Sequence, residues 1–488
     1  MTPSVTRGKG SVPMVLFGIP YHNLTFASTL EWIDELVASE QSKLVATANL
    51  DFHRVAAEDP EMQRILFDAD IMMADGFPMV KLSSLFGPRL KERVTGSDIT
   101  PMLAEHAARK GHRLFFLGAA PGVAQQAADI LIEKHPDLNV VGCYSPEKAD
   151  VITMKSEVIL QQLEETKPDI MLVAFGAPKQ EKWIQMHRHT WKVPVSMGIG
   201  GSLDFIAGAQ LRSPVWMQKL GLEWLGRMLA NPKRLAGRYL YDALYLLGAI
   251  SRLTAIRVSA RGKLSTPLDE APEGKTLLGM ESVHARMKSL KTLDEADLEA
   301  DRLREFSDGK NLVLMPESTG WLNSVELGVL VLLARELRKQ NRTLLVYAPS
   351  RRVERLLNAQ GLHQCFAIEN KPSDVIRRME LRAAEAISGA VTAPEAGALT
   401  LVLPAELTAT NKEQVSSRLF THWRENGRPR KLSVDASATR FIDCAGLSLL
   451  VALKNRADEE DVPLSFSGFS ATVKQIIKVN NQDQLLEK

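Results

Sequence analysis

Residues 170–201 of this 488-residue chain read IMLVAFGAPKQEKWIQMHRHTWKVPVSMGIGG. The stretch begins with the apolar run Ile170–Ala174, and a turn follows at Gly176. A segment that begins a helix at Gln180 comes next, and a second apolar run, Val195–Ile199, leads into a pair of glycines. Two apolar strands joined by a helix are typical of a parallel sheet.

The same alternation of apolar runs and amphipathic segments extends toward the amino terminus. Further strand candidates are Leu44–Ala48, Ile71–Ala74, Leu114–Leu117 and Val140–Cys143, and helix candidates include Ser97–Lys110 and Gly122–His135. Parallel strands are buried because helices cover both faces of their sheet. We therefore predict an α/β fold with a Rossmann-like, mostly parallel sheet, in which ligands sit beyond the carboxyl ends of the strands.

Several polar residues directly follow these strands and are candidates for catalysis. Asp75 ends the strand in IMMADGFP, where a carboxylate can act as a general base, although an Asp there can equally cap the next helix or close a turn. Thr47 and Asn49, in TANLDF, can either hold a ligand or satisfy loop backbone groups. Gln180 begins a helix whose amino terminus attracts anions, or it is an ordinary polar residue at a helix start.

Glycine-rich turns after the strands allow a phosphate group to approach the backbone closely. The candidate substrate-binding residues are Gly118, Gly176, Pro178, Glu181, Gly200, Gly201 and Asp204. The chain has neither a GxGxxG fingerprint nor a Walker A lysine motif, which disfavours a nicotinamide-dependent dehydrogenase and a P-loop enzyme. It also lacks a DxD-like pair of carboxylates at the carboxyl end of a strand, so we expect no metal ion and no other cofactor.

Composition excludes several classes of protein. The chain has 60 Lys and Arg and 58 Asp and Glu, which give a formal net charge of +2. This balance argues against a dedicated nucleic-acid binder. The cysteines Cys143, Cys365 and Cys444 are far apart and indicate a reducing compartment rather than disulfides or a zinc site. The best apolar run, Tyr239–Ile250, is interrupted by Asp242 and is shorter than the ~20 residues that span a bilayer. We expect a cytoplasmic protein that is peripheral on the inner face of the membrane.

The segment Leu211–Lys263 departs from this charge balance. It holds ten Lys or Arg and two acidic residues, and Trp216 is one of its two tryptophans. Basic residues among aromatic ones suit an anionic membrane surface or single-stranded nucleic acid, and a packed helical pair with a basic solvent face is the simpler alternative. Arg227, Arg234 and Arg238 recur at roughly helical spacing and can converge on a phosphate.

Taken together, these motifs resemble the WecG/TagA/CpsF family of bacterial glycosyltransferases. Over Met14–Ile250 they occur in the order TANLDF, ADGFPMV, RVTGSDI, FLGAAPGVA, AFGAPKQEKW, GIGGSLDFIAG and RSPVWMQKLGLEWLGRMLANPKRLAGRY. The resemblance implies an inverting, metal-independent enzyme of cell-surface or exopolysaccharide biosynthesis. Such an enzyme moves a sugar, N-acetylmannosamine-like or another hexose, from a UDP-sugar to a polyprenyl-diphosphate-linked acceptor.

The resemblance also implies roles for individual residues. Asp75 resembles the catalytic base, and the active-site polar residues are Thr47, Asn49 and Gln180. The segment Leu211–Lys263 resembles a helical membrane-docking appendage, whose candidate contacts with the acceptor diphosphate and the membrane are Arg212, Trp216, Arg227, Arg234 and Arg238. A hydrophobic, lipid-linked acceptor at the bilayer surface argues against the nucleic-acid interpretation of this segment. The oligomeric state is left open, and a homo-oligomer is one alternative.

The carboxyl-terminal part of the chain repeats one order of elements. A strand, a polar turn, a helix, a strand and a final helix are predicted in Asn311–Ala359 and again in Lys431–Val479. Both modules resemble STAS domains (sulphate transporter and anti-sigma factor antagonist), in which the Ser of an Asp-Ser pair at a helix start can be phosphorylated. The second module keeps Asp443 but has Cys444 at the Ser position, and the first keeps Ser324 without the Asp. We expect the modules to regulate the enzyme or to recruit a protein partner.

Stretches of Pro, Gly and small residues divide the chain. The predicted parts are a flexible amino terminus at 1–13, a glycosyltransferase core at 14–210, its basic appendage at 211–263, a linker at 264–275, a first, degenerate STAS-like domain at 276–387, a second linker at 388–398 and a second STAS-like domain at 399–488. The alternative function is a regulatory scaffold of the anti-sigma factor antagonist type, in which the STAS pair binds a partner and the transferase-like core is not catalytic.

Overall fold

The structure, a computed structural model, describes residues 12–219, 222–230, 232–259, 282–307, 309–318, 320–340, 342–348, 350–370, 391–395 and 398–486. The strands of the amino-terminal domain (residues 12–259) are β1 (Met14–Leu16), β2 (Ile19–Tyr21), β3 (Lys43–Ala48), β4 (Ile71–Ala74), β5 (Arg113–Gly118), β6 (Asn139–Tyr144), β7 (Ile170–Ala174) and β8 (Val195–Gly198). Its helices are α1 (Phe26–Ala38), α2 (Leu50–Glu58), α3 (Pro60–Asp68), α4 (Phe77–Phe86), α5 (Gly96–Lys110), α6 (Val123–Lys134), α7 (Glu157–Thr166), α8 (Lys179–His187), α9 (Ser202–Ile206), α10 (Val215–Lys219), α11 (Glu223–Ala230) and α12 (Pro232–Ser259).

Strands β3 to β8 form one parallel sheet in the order β4-β3-β8-β7-β5-β6. Successive side chains of a strand point to opposite faces, so Leu44 and Ala46 lie in one apolar core while Val45 lies in the other. All six strands predicted in this region are present, and helices cover both faces. The predicted α/β fold with a parallel sheet is confirmed. The antiparallel pair β1–β2 is an addition that the sequence did not predict.

Two smaller α/β units follow. The middle module (residues 282–370) contains β9 (Ser282–Met287), α13 (Leu293–Phe306), β10 (Asn311–Pro316), α14 (Ser324–Lys339), β11 (Leu344–Tyr347), α15 (Arg351–Ala359) and β12 (Ala367–Glu369). The carboxyl-terminal module (residues 391–486) contains β13 (Val391–Glu395), β14 (Ala398–Val402), β15 (Glu406–Leu407), α16 (Lys412–Asn426), β16 (Lys431–Asp435), β17 (Phe441–Ile442), α17 (Cys444–Glu459), β18 (Leu464–Ser467) and α18 (Ala471–Val479).

The two modules share a topology as well as an order of elements. In the middle module β9, β10 and β11 are parallel neighbours, and in the carboxyl-terminal module β14, β16 and β18 have the same arrangement. The fourth strand differs, because β12 extends one sheet in parallel beyond β11 while β13 pairs antiparallel with β14.

Two of the predicted boundaries need correction. Val12, assigned to a flexible amino terminus at 1–13, is fully buried, and its backbone N–H donates to Asp297 Oδ1 at 3.1 Å. The predicted linker at 388–398 includes β13, which forms a hairpin with β14. Both stretches looked like connectors because they are short and rich in small residues or proline. The linker at 264–275 lies outside the described residues.

The amino-terminal domain and the middle module share one apolar core. Helix α14 is buried around nearly its whole circumference from Ser324 to Ala334, as expected of a central helix rather than a surface one. The chain segment before β1 crosses this helix at Gly328, where a Cβ would overlap the carbonyl oxygen of Pro13. The carboxyl-terminal module has a separate core of its own.

Replacement of Gly328 by alanine is expected to destabilise this junction. The added methyl group meets backbone, which cannot move aside as a side chain does, so we expect a loss of about 1–3 kcal/mol in the free energy of unfolding, measured by denaturant unfolding. Gly237→Ala is the matched control, because no atom of the part of the chain that the structure describes lies within 4 Å of a Cβ added to that helical glycine of α12. It should gain about 0.5–1 kcal/mol from helix propensity. Equal stability of the two variants would contradict the proposed contact.

Candidate active site

Asp75 stands at the carboxyl end of β4, where its backbone N–H donates to the carbonyl of Ala48 at 3.0 Å. Helix α4 begins two residues later, and no side chain caps it, so the alternative in which Asp75 caps this helix is wrong. Burial raises the pKa of Asp75 to about 6, although the charges of Arg227 and Arg93 oppose this shift. A carboxyl group with a pKa near neutrality is suited to accepting a proton at physiological pH.

Three arginines and two carboxylates form a network beside Asp75. Glu223 Oε1 lies 2.7 Å from Arg227 Nη2 and 3.3 Å from Arg212 Nε. Arg93 joins them, with Nη1 at 3.5 Å from Glu223 Oε2 and Nη2 at 3.3 Å from Asp98 Oδ2. Asp98 Oδ1 also lies 2.7 Å from Arg212 Nη2. Three positive charges against two negative ones leave a local excess of +1 before Asp75 is counted.

Sequence reasoning assigned no role to Arg93, Asp98 or Glu223. The first two belong to the segment RVTGSDI, in which an Arg just before a helix and an Asp in its first turn are the signal that could have identified them. The network also shows that the appendage closes over the sheet edge, because Arg212 pairs with Asp98 in the first turn of α5 and Glu223 pairs with Arg93 in the loop before that helix.

The residues after β3 have different surroundings. Thr47 is buried, and its Oγ1 lies 3.5 Å from where a Cβ on Gly96 would be. Asn49 caps α2, since its Oδ1 accepts from the backbone N–H of Asp51 at 3.0 Å. The side-chain oxygen of Asn49 therefore satisfies a backbone group, which is the structural alternative to holding a ligand. Asn49 lies at the same edge of the sheet as Asp75.

Gln180 holds two loops together. Its Oε1 accepts from the backbone N–H of Gly176, after β7, and from that of Gly200, after β8, both at 3.1 Å. Its Nε2 donates to Glu181 Oε1 at 2.7 Å. Gly176 and Gly200 have positive φ values of 79° and 54°, a region that favours glycine. Gln180 thus fixes the shape of the two glycine turns by hydrogen bonds that lie within the protein.

Glu181 holds the side chain of Gln180 in position by accepting a hydrogen bond from its Nε2. The residue is fully buried, and burial raises its pKa to about 7. A Cβ on Gly198 would lie 2.5 Å from Gln180 Nε2 and 2.8 Å from Glu181 Oε1, so a larger residue in β8 would displace this pair of side chains. Glu181, predicted to bind substrate, is therefore an interior residue that contacts Gln180.

The other predicted substrate-binding residues lie along the same edge of the sheet. Gly118 ends β5, and Ser145 Oγ donates to its carbonyl at 2.8 Å. Pro178 directly precedes α8, Gly201 directly precedes α9, and Asp204 lies in the first turn of α9, where burial raises its pKa. Because four strand spacings separate β4 from β5, Gly118 is roughly 19 Å from Asp75 along the edge.

The helices of the appendage are α10, α11 and α12. Arg238 Nη1 lies 3.9 Å from Asp51 Oδ2, and the guanidinium of Arg238 lies over the ring of Tyr239. Asp51 is in the first turn of α2, which follows the carboxyl end of β3, and the convergence of Arg238 with Arg227 on one phosphate stays a prediction. The side chain of Arg234 lies outside the described part of the structure.

Apolar side chains project from the outer surface of the appendage. Trp216 is 59% exposed, and the leucines of one face of α12, Leu240 and Leu247, are 64% and 61% exposed. Within the described residues, no helix combines the length and the apolar character needed to cross a bilayer. Across the same ranges, no three His, Cys, Asp or Glu side chains are grouped so that they could hold a metal ion.

The amino-terminal domain covers both predicted switch positions of the STAS-like modules. Ser324, at the start of α14, is buried against Gly87, where an added Cβ would overlap its hydroxyl. The backbone N–H of Cys444, at the start of α17, donates to Glu61 Oε1 at 2.5 Å, and its Sγ donates to Glu61 Oε2 at 3.1 Å. Asp443 caps α17 through Gly446 at 2.9 Å. Neither position faces solvent.

Comparison with known proteins identifies the amino-terminal domain. A profile of the glycosyl transferase WecG/TagA/CpsF family matches residues 14–258, about half of the chain. The chain belongs to this family and is a glycosyltransferase. A STAS profile matches residues 390–486, the carboxyl-terminal module. The prediction of two STAS domains is thus confirmed for one of them, and the middle module shares the topology without the Asp at its helix start.

Curated relatives carry one activity in their names. An N-acetylglucosaminyldiphosphoundecaprenol N-acetyl-beta-D-mannosaminyltransferase of Bacillus subtilis strain 168 is 30% identical over 220 residues, which are 45% of this chain and 84% of that protein. The enzyme of the same name from Bacillus spizizenii is 31% identical over 212 residues, 43% of this chain and 79% of that protein. One from Staphylococcus aureus strain MRSA252 is 29% identical over 234 residues, 48% and 90% of the two chains.

Replacement of Gln180 by alanine tests the role of this residue in the transferase. The variant leaves the N–H groups of Gly176 and Gly200 without their partner, so we expect kcat/KM to fall by on the order of tenfold to a hundredfold as the turns lose their shape. The circular dichroism spectrum should be unchanged. Gln126→Ala, on the exposed face of α6, is the control. Full activity of Gln180→Ala would show that the hydrogen bonds from Gly176 and Gly200 to Gln180 are dispensable for catalysis.

Proposed function

We propose that this glycosyltransferase moves a sugar from a UDP-sugar to a polyprenyl-diphosphate-linked acceptor sugar with inversion at the transferred carbon. The observation that carries the proposal is Asp75, a carboxyl group of raised pKa at the carboxyl edge of the sheet, beside a network with excess positive charge. The names of the relatives favour N-acetylmannosamine as the transferred sugar and N-acetylglucosaminyl diphosphoundecaprenol as the acceptor.

Asp75 acts as the base in the proposed displacement. Its carboxylate takes the proton of the acceptor hydroxyl while the hydroxyl oxygen bonds to the anomeric carbon of the donor. The bond between that carbon and the diphosphate oxygen breaks, and UDP leaves with the electron pair. One base and one attacking face are sufficient for an inverting transfer, and the carboxylate does not bond to the sugar.

Arginines of the appendage stabilise the leaving diphosphate in this proposal. Arg212 and Arg227 share Glu223, which holds their guanidinium groups in place without neutralising them. Fixed positive charge near the departing oxygens lowers the barrier because no solvent has to reorganise during the reaction. The proposed mechanism assigns to these side chains the charge stabilisation that a metal ion supplies in other transferases, and no metal or cofactor takes part.

The exposed face of α12 is the proposed membrane contact. Leu240, Leu244 and Leu247 lie on one face of the helix and are all exposed, as on helices that lie in a bilayer interface. Basic residues of the same segment would be attracted to anionic lipids. A lipid-linked acceptor keeps its diphosphate at this interface, so docking by α12 would deliver the acceptor to the network around Asp75.

The names of the relatives favour an enzyme over the regulatory scaffold. A scaffold that binds partners through its STAS switch positions would present those positions to solvent. Here Ser324 and Cys444 are buried against the amino-terminal domain. The proposed role of the carboxyl-terminal module is therefore regulation of the transferase within the same chain.

The pH dependence of the reaction tests Asp75. Since the base must be ionised and burial raises its pKa to about 6, kcat/KM should fall about tenfold per pH unit below that value. Asp75→Asn should lower kcat by about a hundredfold or more. Arg227→Gln removes a charge that lowers the pKa of Asp75. The fall of kcat/KM at low pH, the acidic limb of the pH profile, should therefore move to higher pH in this variant. The measurement is UDP release with UDP-N-acetylmannosamine and the lipid-linked acceptor.

Arg109→Gln, at an exposed position on α5, is the control for these profiles and should leave the limb in place. If the acidic limb lies at the same pH in Arg227→Gln and in the wild type, Asp75 is not the group whose ionisation controls activity. Undiminished turnover by Asp75→Asn would remove Asp75 from the base role.

Vesicle binding tests the face of α12. The triple variant Leu240→Ser, Leu244→Ser, Leu247→Ser should lose most of its cosedimentation with vesicles that contain phosphatidylglycerol, because it removes the apolar contact while every basic residue stays. Wild-type binding should weaken as salt concentration rises. Leu298→Ser, at an exposed leucine of α13 in the middle module, is the control. If the triple variant binds like the wild type, another surface docks.

A further inference from the structure

A charged cleft lies where the three parts of the chain meet. Its volume is about 710 Å³, within the range of ligand-binding pockets. Lys43 at the start of β3, Arg188 after α8, Arg335 in α14 and Thr408 after β15 line it from the amino-terminal domain, the middle module and the carboxyl-terminal module. A molecule bound there would contact all three parts at once.

This cleft is separate from the active site. Lys43 stands at the amino end of β3, and Thr47 lies near its carboxyl end. Because the strands of the sheet are parallel, the cleft lies at the edge opposite to Asp75. The two edges are about 13 Å apart along β3.

Ion pairs account for most of the charged residues in the cleft. Six cationic side chains line it (Lys43, Arg64, Arg188, Arg335, Arg338 and Lys339), together with five acidic ones (Glu61, Asp68, Asp70, Glu406 and Asp443). Arg64 pairs with Glu406 at 2.8 Å, and Arg338 pairs with Asp68 at 2.7 Å. Lys339 and Lys43 share Asp70, with distances of 3.4 Å and 3.7 Å to its Oδ1.

Two guanidinium groups are left over. Arg188 is only 8% exposed, and within the described ranges of the chain its Nε has no hydrogen-bond partner. Arg335 uses Nη1 to donate to the carbonyl of Ala69 at 2.6 Å. Among the described residues, no carboxylate oxygen lies within 4.0 Å of either group. A buried cation without a hydrogen-bonded anion is costly, so an anion supplied from outside would stabilise this arrangement.

The acidic residues on the far side of the cleft carry less charge than their number suggests. Glu61 is already paired with Lys182 at 3.1 Å. Burial, together with the charge of Glu61, raises the pKa of Asp443 to about 7. The repulsion of an incoming anion is therefore weak there, and on the opposite wall Arg188 and Arg335 line the cleft without a direct ion pair among the described residues.

We propose that this cleft binds a soluble small molecule that carries at least two phosphate groups. Planar guanidinium groups bind phosphate oxygens through paired N–H donors, and Arg188 and Arg335 offer two such groups on different parts of the chain. Lys43 and Lys339 add charge at the rim. Binding holds the middle and carboxyl-terminal modules against the amino-terminal domain.

Helix α8 connects the cleft to the active site. Arg188 directly follows the last residue of α8. Gln180, which accepts hydrogen bonds from the two glycine turns, lies in the first turn of the same helix. The distance between these residues along the helix is about 12 Å. A ligand that fixes Arg188 therefore acts on the helix that sets the shape of the turns, and the site is regulatory rather than catalytic.

Pyrophosphate binding to the full-length protein tests the proposal. Isothermal titration without sugar substrates or added divalent cation measures the cleft independently of catalysis. Arg188→Gln and Arg335→Gln should each weaken binding at this site at least tenfold, and Lys339→Gln, whose side chain is half exposed, should weaken it severalfold without endangering the fold. Inorganic phosphate should bind more weakly than pyrophosphate, because a single phosphate offers less negative charge and fewer acceptor oxygens to the two guanidinium groups.

Arg227→Gln separates this site from the active site. It should remove pyrophosphate binding beside Asp75 and leave the cleft unchanged, whereas Arg188→Gln should do the reverse. If all pyrophosphate binding is lost in Arg227→Gln, or if Arg188→Gln and Lys339→Gln both bind like the wild type, the cleft is not a phosphate site and the proposal is overturned. The proposed sugar transfer would be unaffected by that result.

Discussion

The buried ammonium group of Lys182 is the contact on which the arrangement of the molecule depends. It lies 2.6 Å from Asp59 Oδ2 and 3.1 Å from Glu61 Oε2, and it donates to Asn480 Oδ1 at 2.9 Å. Burial lowers the pKa of Lys182, but the two carboxylates raise it by more, so the charge persists. Loss of either partner would leave an uncompensated buried charge, which is strongly destabilising. One side chain of α8 thereby joins the start of α3 to the carboxyl-terminal module.

The position of α8 matters because the active site is built on it. Gln180 shapes the turns after β7 and β8, and Glu181 fills the space that Gly198 leaves open. On the other side of the site, Asp75 owes its raised pKa to burial at the end of β4. The candidate base and the glycine turns therefore rest on different elements of the fold, and the arginines of the appendage lie beside the candidate base. The proposed regulation would act on the turns through α8 and leave Asp75 in place.

Both STAS-like modules contact the amino-terminal domain through the start of their central helix. Each begins its central helix with a capping side chain, Asn323 in one and Asp443 in the other. Each presents the next residue to the amino-terminal domain, against Gly87 or Glu61. At the start of α17 the carboxylate of Glu61 accepts from backbone N–H, where the helix dipole favours negative charge. The modules thus resemble each other in how they dock as well as in how they fold.

Local sequence determined the elements of this protein: six core strands, the helices between them, the paired modules and the candidate base at the end of β4. These features depend on apolar periodicity, turns and caps, which are properties of neighbouring residues. Only the tertiary structure decided which side chains meet. It brought Arg93, Asp98 and Glu223 to Asp75, placed Arg238 beside Asp51, buried Glu181, and covered Ser324 and Cys444. Such convergence depends on strand order and on how distant helices pack, and no local pattern in a single sequence encodes either of them.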